Sequence, residues 1–157
     1  MGENDLNKNQ IEANLEKVNS VERTGWFSGA AFALSLTLIG YIFSKRELVI
    51  LLNFGHLRCI LITSWIFLLL SIVASLLPRM LNANWLFFSS WNAYLKKFTT
   101  FDSDDLRAQH TELLSISNQK SERFSTLLKY VSAVVYLGTI IGISGLVLFI
   151  IKLVLLV

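Results

Sequence analysis

The stretch CILITSWIFLLLSIVASLL, residues 59–77, runs for nineteen positions without a charged side chain and stops at Pro78 and Arg79. A helix needs roughly 20 apolar residues to cross about 30 Å of hydrocarbon, so this segment argues for a bilayer. Residues 26–43 supply eighteen more, with Trp26 and Tyr41 near the two ends, where aromatic rings favour the membrane–water boundary. Residues 131–157 are longer and only Lys152 interrupts them. Its stem can carry the ammonium outward, and so long a stretch can tilt or leave its last turn among head groups. Residues 48–52 are also apolar, but Glu47 and His56 lie too close for a fourth crossing. They read as an interfacial helical turn or a tight loop.

Composition agrees. Hydrophobic residues make up 54% and charged residues 16%, with a mean hydropathy of +0.56, whereas soluble domains average about 25% charged. The net charge of +3, with no Lys/Arg run beyond two residues, argues against direct nucleic-acid binding. A single cysteine, Cys59, excludes an internal disulfide framework and a cysteine-based metal site. It reads as a small apolar residue at the start of a span. About 25 largely polar residues precede the first apolar run, which does not fit a cleavable signal peptide. Leu6 breaks a myristoylation motif, and Leu155, Leu156 and Val157 make no prenylation motif.

Basic residues set the expected direction. Lys8, Lys17 and Arg23 precede the first span, and Arg79, Lys96, Lys97, Arg107, Lys120, Arg123 and Lys129 lie between the second and third. Only Lys45, Arg46 and Arg58 occupy the first loop. The positive-inside rule then places the N-terminus in the cytoplasm and the C-terminus outside, in a multi-pass protein of the inner (cytoplasmic) membrane.

The polar segments read as helices too. No proline or glycine interrupts residues 3–24, where Ile11, Leu15, Val18 and Glu22 share a stripe and Lys8 can pair with Glu12. After Pro78, Leu81, Trp85, Phe88, Trp91 or Asn92, Leu95 and Phe98 repeat at helical spacing, so the proline is expected to kink the path. Asp102, Asp104 and Asp105 are expected to cap a further helix and favour its positive end. That helix runs through Leu106, Leu113, Ile116, Phe124, Leu127 and Leu128 into the third span without a breaker. The extensions of about 22, 20 and 26 residues have matched lengths of roughly 30–40 Å, as expected of one bundle. An alternative lays helix 81–98 flat on the bilayer, since Trp, Phe and paired Lys suit an interface.

The expected fold is therefore an all-α integral membrane protein with three transmembrane helices and helical cytoplasmic extensions. Its parts are a cytoplasmic amphipathic helix (1–25), a first span (26–43), an external loop (44–58), a second span (59–78), a cytoplasmic helical hairpin (79–130) and a third span (131–157).

Small residues form faces on all three spans. Gly25, Gly29 and Ala33 recur every fourth residue and Thr37 continues the row. Ser64, Ser71 and Ser75 mark the second span, and Gly138 and Gly142 the third. In lipid such faces let helix backbones approach closely, either within one chain or between copies. Hydroxyls at membrane depth, among them Ser35, Thr37, Thr63, Thr139 and Ser144, are expected to bond back to their own helices. No ionisable residue lies near the middle of a span, which argues against coupled transport. A hydroxyl-lined channel would need an oligomer.

Catalysis, cofactors and metals are not expected. The only histidines, His56 and His110, fall on opposite sides of the membrane in this topology. The Asp102–Asp105 cluster lacks the glycine and distal glutamate of a calcium loop, and no phosphate loop, nucleophile elbow or HExxH is present. The aromatic helix, with Trp85, Phe88, Trp91 and Phe98, offers a surface for a protein partner, the membrane surface or another copy.

In outline the chain is similar to small membrane components of bacterial defence and immunity loci, a similarity of size and architecture that transfers no residue. The expected function is that of a non-enzymatic, homo-oligomeric membrane protein. It would couple a cytoplasmic bundle to its membrane segment, as a sensor or membrane-perturbing effector with a soluble cytoplasmic partner. The alternatives are an anchor or immunity-type protein that binds through the aromatic helix, and the hydroxyl-lined channel.

Overall fold

The computed structural model describes residues 3–44, 55–98, 100 and 103–156. They form four α-helices, α1 (Glu3–Ser44), α2 (Gly55–Ser75), α3 (Leu77–Leu95) and α4 (Asp104–Leu156), with no strand among the described residues. The expected interfacial turn at residues 48–52 lies outside the described residues. Three helical stretches, Ile11–Ser44, Gly55–Leu95 and Asp104–Leu155, are long and apolar enough to cross a membrane.

Local chemistry explains the breaks. Pro78 has no N–H for the Ala74 carbonyl and its ring would crowd that carbonyl, so α2 cannot continue through it. The chain tightens instead, with Leu76 N–H donating to the Val73 carbonyl at 3.2 Å. Helix resumes at Leu77, which puts Pro78 in a first turn that needs no N–H. At the start of α4 the cap is Ser103: its Oγ accepts from Leu106 N–H at 3.3 Å and its carbonyl from Arg107 N–H at 3.2 Å. Asp104 and Asp105 occupy the first turn, where negative charge favours the helix dipole.

The chain divides into two compact units, one of Met1–Asn19 and Leu77–Val131, the other of Ser20–Leu76 and Ser132–Val157. In the first unit, Val18, Leu81 and Leu128 form a buried core with Phe124 and Val131 against it. Contacts between α3 and α4 run along the hairpin. Ser117 Oγ donates to the Phe88 carbonyl at 2.9 Å, Asn92 Nδ2 donates to Asn118 Oδ1, and His110 Nε2 bonds the Leu95 carbonyl at 2.8 Å.

In the second unit, Ile42, Leu57, Leu61, Leu68, Leu146, Phe149 and Leu153 make the core. Its outer surface is apolar as well, with Phe27, Leu34, Ile66, Val73, Leu137, Ile140 and Val154 exposed. A surface apolar on both sides is what hydrocarbon solvent demands of a spanning helix.

Candidate helix-packing interface and aromatic face

The small residues of the second unit sort into those used within the chain and those left open. A Cβ on Gly25 would overlap the Ser75 side chain, so α1 and α2 meet there with no room for a methyl group. Gly138 faces the Phe67 carbonyl oxygen, 3.0 Å from an added Cβ, and Ser71 Cβ at 3.4 Å. Gly142 faces Leu68 Cγ at 2.6 Å and the Ser64 carbonyl at 3.2 Å. Of the eight candidate packing residues, these contacts therefore join Gly25 with Ser75 between α1 and α2, and Gly138 and Gly142 with Ser71 and Ser64 between α2 and α4. Gly29 and Ala33 are not brought to another helix: a Cβ on Gly29 meets nothing within 4 Å, and Ala33 is exposed. Gly40, further along the same side, is also open.

Two residues of this interface escaped the spacing rule. A Cβ on Gly145 would overlap Ser64 Oγ; it follows Gly142 by three residues and shares its face, which a search for four-residue spacing passes over. Ser28, one turn beyond Gly25, is fully buried. It joins a hydroxyl cluster drawn from all three helices. Ser28 Oγ lies 2.6 Å from Thr139 Oγ1 and 3.2 Å from Ser71 Oγ, and Ser71 Oγ lies 2.7 Å from Thr139 Oγ1. Ser71 also donates to the Val135 carbonyl of α4 at 2.8 Å. Each hydroxyl has one proton, so the contacts are shared alternatives and the cluster can exchange donors without leaving a group unpaired. A second cross-helix pair joins Trp65 Nε1 to Ser35 Oγ at 2.8 Å, beside the edge-on packing of Phe32 and Trp65.

The aromatic candidates also divide. Trp85 is 3% exposed and belongs to the interior of the first unit. Phe88 is half-buried, stacked on Phe124 at 5.7 Å with Lys120 Nζ 5.1 Å over its ring. Trp91 and Phe98 are 42% and 47% exposed and are linked through Tyr94, whose ring lies 5.8 Å from Trp91 and 5.0 Å from Phe98. The free aromatic surface is thus Phe87, Trp91, Tyr94 and Phe98.

Among the described residues no group of three His, Cys, Asp or Glu side chains comes together; Asp102 lies outside them. His110, half-buried, holds the end of α3 through its bond to Leu95. The geometry of both units serves close helix approach and hydrogen bonding between helices. Compared with known proteins, the chain matches no family model, no curated protein and no solved structure.

Proposed function

We propose that the protein is a non-enzymatic, self-associating protein of the cytoplasmic membrane, with its N-terminus and the α3–α4 hairpin in the cytoplasm. It passes a cytoplasmic event into the bilayer, as a sensor or a membrane-perturbing effector working with a soluble cytoplasmic partner, as in bacterial defence systems. The observation that carries this reading is α4, which is helical without interruption from the polar residues at Asp104 to the apolar ones at Leu156. Ten of the thirteen basic residues outside the spans fall on the side assigned to the cytoplasm. Self-association is supported by Gly29, Ala33, Thr37 and Gly40, a row of small side chains on α1 that stays open while Gly25, Gly138, Gly142 and Gly145 are taken up inside the chain. Light scattering of the protein in several mild detergents tests it: a multimer is expected, and a monomer in all of them would end the proposal.

A second reading, a binding protein of the anchor or immunity type, is favoured by one observation, the exposed run of Trp91, Tyr94 and Phe98. Partner capture that survives Trp91→Ala with Phe98→Ala would remove it.

A further inference from the structure

The tight contacts of the second unit are unevenly distributed. Glycines draw α4 onto α2 at Gly138, Gly142 and Gly145, and α1 onto α2 at Gly25. Beyond the Ser28–Thr139 contact, α1 and α4 have no such glycine between them. A cleft of about 330 Å³ opens there, with Ala31 and Leu38 of α1 on one side, Ile150 of α4 on the other, and Leu61 and Phe149 as its floor.

Three properties define what fits. The lining is apolar, and its one hydroxyl, Ser35 Oγ, already donates to the Phe32 carbonyl at 2.6 Å and accepts from Trp65. Its proton and one acceptor site are thus taken, a water would find fewer than the two to four partners it needs, and the cleft favours an apolar occupant. The volume equals that of roughly eleven water molecules at about 30 Å³ each, room for a segment of a hydrocarbon chain. The outer edge is formed by Leu34 and Ile150, both exposed on the apolar exterior, so the cleft opens sideways into whatever surrounds the spans. A second copy is a poor occupant. The face of α1 that would let another backbone come close is the open row at Gly29 and Ala33, on the other side of the helix, whereas the cleft is edged by branched side chains that hold a helix away.

We propose that this cleft holds one acyl chain of a bilayer lipid as a bound component of the helix bundle. The inference rests on the reading that these helices span a bilayer. The chain end fills the floor over Leu61 and Phe149, and the head group remains outside the cleft, so selection is by hydrocarbon and not by head-group chemistry.

The test is native mass spectrometry of the full chain, reconstituted in dioleoyl phosphatidylcholine vesicles and released in a mild detergent. One retained lipid per chain is expected. Ala31→Phe, which fills the cleft, or Leu34→Trp, which closes its exposed edge, should lower that occupancy at least threefold while helicity by circular dichroism stays at the wild-type level. No retained lipid in the wild type, or unchanged occupancy in both variants, overturns the proposal. So does a drop in oligomer mass in the variants with no lipid on the wild type, which would assign the cleft to a second copy. Extraction at alkaline pH separates the two levels: protein released from membranes defeats the spanning reading itself, whereas protein that stays behind without lipid defeats only the cleft.

Discussion

Gly142 of α4 lies so close to Leu68 of α2 that an added Cβ would come within 2.6 Å of the leucine Cγ. Leu68 is fully buried, so its side chain can yield only by displacing its neighbours, and the Ser64 carbonyl lies 3.2 Å from the same added Cβ. Overpacking of this kind costs about 1–3 kcal/mol, and a branched residue costs more than alanine. Gly142→Val is therefore expected to lower the midpoint of unfolding in mixed detergent–dodecyl sulfate micelles. A midpoint equal to wild type would show that α2 and α4 are not held at this distance.

Gly29→Leu with Ala33→Leu is the complementary case. Neither position is packed against another described helix, so the single chain should keep its fold, and its unfolding midpoint should fall only by what assembly contributes through mass action. The oligomer should dissociate. Light scattering and unfolding measured on the same preparation separate the two effects, and an intact oligomer would exclude this row as the contact.

Ser71 and Thr139 are expected to be energetically coupled. Hydrogen bonds between helices in lipid average about 0.6 kcal/mol and reach about 1.7 kcal/mol. A double-mutant cycle with Ser71→Ala and Thr139→Val should return a coupling in that range. Strictly additive losses would mean that the hydroxyls act separately.

Trp85 and Trp91 should behave oppositely although they sit six residues apart. Trp85→Ala removes a buried ring and should destabilise the first unit by about 3–5 kcal/mol, seen as faster proteolysis between residues 79 and 130. Trp91→Ala should leave the digestion pattern unchanged. Equal sensitivity would contradict the burial of Trp85.

Ser103→Ala should fray the start of α4 at a cost of about 1 kcal/mol, while Ser103→Asp should be tolerated. Hydrogen exchange at the amides of Leu106 and Arg107, the two that Ser103 holds, reports this directly.

The long helices were legible because hydrocarbon imposes a simple demand, an unbroken apolar run, and residues 59–77 or 131–151 meet it in any context. Most hydroxyls were legible too, since Thr37, Ser64 and Ser75 return to the carbonyls of Ala33, Ile60 and Ile72 in their own helices. Ser71 was not. Whether a serine bonds its own helix or crosses to Val135 depends on which helix lies opposite, and spacing along one segment carries no such information. Gly29 and Gly142 look alike in sequence for the same reason, yet one is open and the other enclosed. The aromatic stripe after Pro78 was visible, whereas the division between buried Trp85 and exposed Trp91 required α4 to be in place. The cap at Ser103 was obscured by its acidic neighbours, which contribute through the dipole and not through the capping bond.

The glycines of α4 have a consequence during synthesis. α2 leaves the ribosome with Ser64, Leu68 and Ser71 facing a slot that Gly138, Gly142 and Gly145 later fill, and the whole of α3 and about two thirds of α4 must be made before the first of those glycines emerges. Throughout that interval the slot is lined by a partly polar groove against lipid. A nascent chain arrested between residues 96 and 130 should thus be the species most open to mispairing or to capture by the insertion machinery.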